Sequence, residues 1–461
     1  MRRIDYIVLV FLFLLAGLPL FAAEPTRTLP IVYVNTKNSQ PVNDKETQVP
    51  ATLYIDSVVS AFHPLGSSQA PIACTIKGRG NWTWSGFDKK PYKIKFDEKQ
   101  KVLGMHKNRH WCLQANADDY LGFLKMPVGL MLSEAIGLRW TPREQPVELV
   151  LNGKYMGLYF LTEHVRIASN RVHIHEQAKG ETHPDSITGG WLVEIDNYST
   201  ENNITFTEGN GQYVMVSLRE PDSLTSAQRH YIENQMYALN EVLYGSSEAQ
   251  LAQLLDLEEA AKYYLVQEIM EDCESYHGSC FLYKDRDSLG VADPWKFGPV
   301  WDFGNAYDRH QETWIYENPT WPQYWIGQLA TWPAFQQKVQ EQWWIFYNTK
   351  KDEVRSAIRA YADRIETAAK RDADVWRGTQ NYQDNSNYTH KRSTFLQRYD
   401  WRVNWLYSQW GEGMKPSTWS IEQPTDNQQV NGRKILRNGQ LLIERNGKVY
   451  TLSGTAIGNI Y

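Results

Sequence analysis

The chain has little cysteine and no pair of cysteines at metal-binding spacing. Four occur, Cys74, Cys112, Cys273 and Cys280. The absence of Cys-x-x-Cys argues against a structural zinc site. An even number in an exported chain permits two disulfides, and four cysteines allow three connectivities. Of these, Cys74–Cys112 with Cys273–Cys280 is the preferred expectation. Charge of one sign is also missing. There are 48 Lys and Arg against 53 Asp and Glu, with no basic block, so nucleic acid is not an expected partner. Past the N-terminal segment no apolar run is long enough to span a membrane. No internal repeat is found.

Aromatic residues are abundant, with 18 Trp and 27 Tyr. They serve either a large core or stacking platforms for a ring-shaped ligand such as a sugar or a base. The N-terminus is more specific. Positive Met1-Arg2-Arg3 precedes apolar Ile7 to Leu18, and Leu20-Phe21-Ala22-Ala23 supplies small residues for cleavage. This pattern predicts a secretory signal over residues 1–23; an uncleaved anchor is the lesser reading, because the apolar stretch is short for a membrane span. The mature chain is then periplasmic, surface-bound or secreted, with no stable membrane insertion. No cysteine follows the apolar stretch, which argues against a lipoprotein.

Residues 30 to 100 read mostly as strands. In "PYKIKF", Tyr92, Ile94 and Phe96 face one way, Lys93 and Lys95 the other. Residues 120–137 read as a helix closed by Gly137, with Pro127 marking a kink or a late start. "VELVLNGKYMGLYF" is a hairpin turning at Asn152-Gly153, and "GGWLVEIDNY" is a further strand. From about 221 the period becomes helical: 224–243, a helix from Asp256 capped reciprocally with Glu259, and long helices over 333–372 and 391–411. Residues 413–432 read as a linker, and 433–461 as a small β-rich tail with turns at Asn438-Gly439 and Asn446-Gly447. Strands first and helices second predict an α+β, two-lobed architecture.

"KFGPVWDFGNAYD", residues 296–308, carries an Asp-Phe-Gly triplet at 302–304. Such a triplet holds a metal beside nucleotide phosphates when its structural context agrees. Yet no G-x-G-x-x-G-x-V loop and no His-Arg-Asp occur. An ordinary eukaryotic-type protein kinase is thereby excluded.

Several blocks in order resemble the CotH-type family of atypical protein kinases and its exported bacterial members. They are "IKGRGNWTW" (76–84), "KKPYKIKF" (89–96), "VLGMHKNRHWCLQANADD" (102–119), "VELVLNGKYMGLYFLTEHV" (147–165), "WLVEID" and "KFGPVWDFGNAYD". The resemblance covers about residues 30 to 410. It implies an atypical kinase-like domain over 28–412, with a β-rich N-lobe and a helical C-lobe. ATP with Mg²⁺ or Mn²⁺ would be its cofactors, and Ser or Thr of a protein its acceptor.

The resemblance also implies roles. Asp302, assisted by Asn305, would hold the metal. Lys93 or Lys95 would reach a phosphate, with Glu163 as the ion-pair partner, and Arg79 with Asn81 would form a phosphate-contacting turn. Trp295 would stack on the adenine, with Tyr159 as the other face. The segment "ESYHGSCFLY" departs from the family pattern. Glu274 stands where many members have the proton-accepting Asp, and Ser279 where they have a metal-binding Asn. Asp272 and His277 are nearby substitutes. The alternative expectation is a catalytically degenerate surface or glycan-binding module; a further one is a glycoside hydrolase using Glu194 and Glu274.

Overall fold

A computed structural model describes residues 27–57, 63–196, 203–207, 211, 213–318 and 324–417, and four strands between 432 and 459. The expected signal segment and residues 418–431 of the expected linker lie outside the described residues. The chain divides into two compact units, 1–413 and 414–461.

The first unit opens with a closed barrel. Its strands are β1 (Ile31–Thr36), β2 (Val49–Asp56), β3 (Ile72–Gly78), β4 (Tyr92–Gln100), β5 (Asn108–Gln114), β6 (Glu144–Leu151) and β7 (Lys154–Glu163). They run in the order β1-β2-β3-β4-β5-β7-β6, and a parallel pairing of β1 with β6 closes the ring. Closure leaves no exposed strand edge. The expected alternation holds on β4: Tyr92, Ile94 and Phe96 are buried, Lys93 is half-buried and Lys95 exposed. The β6–β7 turn has positive φ at both central residues, +50° at Asn152 and +77° at Gly153. That is the geometry for which Asn-Gly is favoured.

Between β5 and β6 lies α1 (Lys125–Ile136). It starts later than the sequence suggests, with Pro127 in its first turn, where no intrahelical N–H bond is required. A second sheet is entirely antiparallel, ordered β12-β11-β8-β10-β9. It joins β8 (Trp191–Ile195), β9 (Asn203–Thr207) and β10 (Tyr213–Glu220) to β11 (Cys280–Lys284) and β12 (Lys296–Phe297). The last two return from among the helices. The fold is therefore α+β, β-rich first and helical later, but with strands in both parts.

The helical part comprises α2 (Ser226–Leu243), α3 (Glu248–Leu254), α4 (Leu257–Met270), α5 (Pro333–Thr349), α6 (Lys351–Trp376) and α7 (Tyr388–Trp410). The cap of α4 is half of the expected one. Asp256 accepts from the Glu259 N–H at 3.0 Å, but the Glu259 carboxylate turns to the Arg139 N–H at 2.7 Å. The single helix expected over 333–372 is two, because Lys350 at φ −126° leaves helical geometry. Among the described residues no helix is long and apolar enough to cross a membrane.

All four cysteines are buried free thiols, so the expected disulfides are absent. Cys74 pairs with Phe96 on β4, and Cys112 pairs with Lys93 on the opposite side of the same strand. Two strand spacings, about 10 Å, separate them, beyond disulfide reach. Cys273 and Cys280 flank the 274–279 turn with no disulfide between them, and burial pushes the Cys273 thiol up to about 12.

The second unit is a four-stranded antiparallel sheet of β13 (Gly432–Arg437), β14 (Gln440–Arg445), β15 (Lys448–Tyr450) and β16 (Ala456–Asn459). The two expected hairpins are present as strand pairs.

Candidate functional site

The chain leaves β12 through buried Val300 and Trp301, exposes Asp302, and buries Phe303 again. Asp302 has φ +61°. Side chains other than glycine rarely take this conformation, and such strain concentrates at functional sites. Two contacts fix the loop. The Phe303 ring packs on α1 where only glycine fits: a Cβ on Gly129 would stand 2.1 Å from it. Lys125, buried at the start of α1, donates from Nζ to the Gly304 carbonyl at 2.7 Å and to Asp308 at 2.6 Å. The Lys125 backbone N–H in turn donates to Asp119 at 2.8 Å.

Carboxylates gather around Asp302. Ser279 Oγ lies 3.5 Å from Asp302 Oδ2. Asp118 reaches within 2.8 Å of where a Cβ on Gly304 would stand. Burial, with repulsion from Asp302, pushes Asp118 up to about 6. Burial pushes Glu194 up to about 7, with Asp196 and Asp302 opposing the pull of Arg219. Arg219 binds Glu194 at 2.5 Å and Asp196 at 2.8 Å. Asp272 is buried, and among the described residues neither of its carboxylate oxygens has a hydrogen-bond partner. Burial pushes it well above the carboxylate range, and Glu274 and Asp302 add repulsion. Carboxylates that raise one another's pKa in this way are relieved by a divalent cation.

Among the described residues, no three His, Cys, Asp or Glu side chains converge into a ready-made metal cage. Mg²⁺ does not require one, since it is commonly held by one or two carboxylates together with waters and nucleotide phosphates. Asp302, the Ser279 hydroxyl and Asp118 fit that donor set.

Opposite chemistry lies alongside. The Arg79 guanidinium sits over the Trp301 ring, 5.5 Å from its centroid, and donates to Gln114. Lys93 is half-buried, and among the described residues no carboxylate pairs with it. It stands directly across from Lys77 on β3, although like charges in that relation are destabilising. Burial lowers the pKa of Lys93, and Lys77, Arg79 and Arg166 lower it further. Burial, then Lys93, Arg79 and His110, hold His164 well below its usual range. Arg79 is the member of this basic face that touches the acidic loop, at Trp301.

Other expected site residues lie elsewhere. Glu163 pairs with neither Lys93 nor Lys95; it is buried against Arg171 at 2.8 Å and accepts N–H bonds from His106 and Arg143. Tyr159 is fully buried, its hydroxyl donating to the Lys90 carbonyl at 3.0 Å. Trp295 is also fully buried. Neither ring has a face free to stack on a base. Asn81 is exposed and accepts from Lys45. Asn305 turns its amide onto the Glu274 carboxylate rather than towards Asp302. His277 is buried, stacked with Tyr324, and burial lowers its pKa, which leaves it neutral.

Sequence reasoning assigns no role to Asp118, Asp119 or Lys125. It also misses Lys89, fully buried against Asp372 at 2.8 Å and tied to the Leu158 carbonyl. The two lysines look like ordinary solvated charges in sequence, although Lys89 opens the "KKPYKIKF" block.

A family model described as CotH kinase protein matches residues 76–401. The match takes in every residue of the acidic cluster and of the basic face. No curated protein matches the chain.

Proposed function

The chain belongs to the CotH kinase family, and we propose from that premise that it transfers the γ-phosphoryl group of ATP to a Ser or Thr hydroxyl of a protein. The observation that carries this reading is Arg79, whose charge also acts on Lys93, seated over Trp301 immediately before Asp302 of the acidic cluster. Phosphoryl transfer asks a protein mainly for positioning and charge stabilisation. The barrel and the helical part take the places of the two lobes.

In this reading Asp302 holds Mg²⁺ or Mn²⁺, with Ser279 and Asp118 beside it. The bound ion supplies neutralisation of charge on the transferred group. Lys93 and Arg79 bind phosphate oxygens by charge-assisted hydrogen bonds. The acceptor hydroxyl oxygen forms a bond to the γ-phosphorus as the bond to the β-phosphate oxygen breaks, and ADP leaves. Glu274, oriented by the Asn305 amide, takes the hydroxyl proton. With residues 1–23 read as a secretory signal, the reaction takes place outside the cytoplasm.

The test is calorimetry of ATP with the purified chain, with and without Mg²⁺, followed by transfer of labelled phosphate to a mixed Ser/Thr protein substrate. Metal-dependent binding and transfer, both lost in Asp302→Ala, support the proposal. Equal ATP affinity with and without metal overturns it.

One observation favours a second reading, recognition without transfer. Trp314, Tyr316 and Trp410 line a cavity of about 300 Å³ together with Tyr264 and Phe335. Trp314 stacks on both Tyr316 and Trp410. Such ring faces suit the apolar face of a sugar. Sugar-dependent quenching of Trp fluorescence, in a chain that transfers no phosphate, would favour it.

A further inference from the structure

A second charged feature lies further along the outer face of β4. A groove of about 1030 Å³ is walled by the end of β4, the start of β5 and segment 166–176. Six of its lining residues are cationic: Lys95, Lys99, Lys101, Lys107, Arg109 and Arg166; Glu98 and Glu176 are its acidic residues. Glu98 meets Arg109 at 3.6 Å, and Arg166 meets Glu220 at 4.0 Å. No carboxylate among the described residues forms an ion pair with any of the four lysines. His110 lies within the groove, directly across from Lys95. Burial, then Arg166, Lys93, Lys95 and Arg109, push it down to about 3. The groove is thus net positive, with four lysines outside any ion pair among the described residues, in a chain whose net charge is −5.

The groove begins beside Lys93 of the proposed phosphate-binding face. Lys95 lines it, and Lys93 lies two residues back on the same face of the same strand, about 6.6 Å away. Arg166 lines the groove and also acts on Lys93. We infer that the groove seats an acidic segment of the acceptor protein, so that this chain selects Ser or Thr hydroxyls flanked by Asp and Glu. This rests on the phosphotransfer reading and names its substrate class.

The chemistry favours a peptide over a nucleic acid. Sequence-tolerant single-strand sites interleave cations with aromatic stacking faces. This groove has no Trp, Tyr or Phe in its lining, and Ile167 and Ala168 are its apolar residues. Its two glutamates break the positive track that a continuous phosphodiester backbone would follow. Separated carboxylates on a flexible peptide can step around them.

The experiment uses the full chain and two labelled peptides: a Ser-containing peptide rich in Glu and Asp, and the same peptide with Gln and Asn in their place. Fluorescence anisotropy measures binding, and ATP affinity is measured separately by calorimetry. The acidic peptide is expected to bind at least about tenfold more tightly than the neutral one. That preference should vanish in 1 M salt, where the screening length is about 3 Å. The variant Lys99→Glu/Lys101→Glu/Lys107→Glu should weaken acidic-peptide binding by about tenfold or more, with unchanged circular dichroism and unchanged ATP affinity. The three lysines are exposed; the corresponding Gln variant, which removes charge without reversing it, should give an intermediate loss. Equal binding of the two peptides, or undiminished binding by the Glu variant, overturns the inference. So does displacement of the peptide by a single-stranded oligonucleotide of equal charge at a lower concentration. Absence of ATP binding in the wild type, with selective acidic-peptide binding retained, counts against the phosphotransfer reading and leaves the basic groove standing as an acidic-peptide site.

Discussion

Phe303 sits on Gly129: a Cβ at that helical position would stand 2.1 Å from the Phe303 ring. The residue after Asp302 is therefore seated by the absence of a side chain on α1. Gly129→Ala should gain up to about 1 kcal/mol in helix propensity. It should lose about 1–3 kcal/mol to overpacking, because the ring is buried and has nowhere to retreat. The clash should win, lowering the melting temperature and weakening metal-dependent ATP binding. Gly129→Ala/Phe303→Leu should recover part of the stability loss. Thermal melts of the two single variants and the double variant read the coupling.

Asp302→Asn separates stability from function. Asp302 repels Asp118, Glu194 and Asp272, so removing its charge relieves the metal-free fold. A rise of about 1–3 °C in melting temperature without metal is expected, together with loss of metal-dependent nucleotide binding. A fall in melting temperature would show that the loop needs the carboxylate for its own structure.

Lys93 and Lys95 separate in the same way. Lys93 is half-buried, opposite Lys77 and beside Arg79, whereas Lys95 is exposed. Lys93→Met should raise the melting temperature by removing a cation–cation contact, and should weaken ATP binding by about tenfold or more. Lys95→Met should change ATP affinity by less than about threefold. Calorimetry on both variants tests the order.

Much of this arrangement is legible in the sequence. The alternation of β4 and the Asn152-Gly153 turn follow from local backbone preferences, and the Asp302 block from its order among other blocks. Partners are not legible. Glu163, expected to pair with a β4 lysine, meets Arg171 eight residues downstream, because β7 ends where the following segment folds back. Trp295 and Tyr159, expected at an open cleft, are core. Composition cannot separate an aromatic that packs from one that stacks on a ligand. Lys89 meets Asp372 from α6, and no local pattern announces an ion pair buried between distant segments.

The acidic cluster also gives a pH dependence. Asp118 is raised to about 6 and Glu194 to about 7. These carboxyls keep protons in the folded state that the unfolded chain has already lost. Their contribution to metal-free stability is therefore full below about pH 4 and falls as pH rises through 6 to 7. Metal binding runs the other way, because it needs the carboxylates ionised. Affinity for Mg²⁺ with nucleotide should rise from pH 5.5 to about 7 and then level, with proton release in the lower range. Asp302→Asn should flatten the stability profile. Melting curves across pH, and calorimetry in buffers of different ionisation enthalpy, read the two trends.

Glu274 decides whether the site performs transfer. Its carboxylate accepts from the Asn305 amide and lies where repulsion reaches Asp272. Relative to Asp it is longer by one methylene, about 1.5 Å, and a misplacement near 1 Å can cost about 100-fold in rate. Here Asn305 supplies the orientation, so the loop is fitted to the longer side chain. Glu274→Gln should then abolish transfer while keeping ATP affinity within about twofold. Glu274→Asp should be slower than wild type by about tenfold or more, since the shorter carboxylate draws away from both Asn305 and the acceptor hydroxyl. Asn305→Ala should lower the transfer rate with little change in ATP affinity, as expected of a residue that positions the base. Faster transfer by Glu274→Asp than by wild type would mean that Glu274 is a degenerate base in an unadapted loop. No transfer by either protein, across a broad set of Ser and Thr acceptors, would leave recognition without catalysis as the function of this cleft.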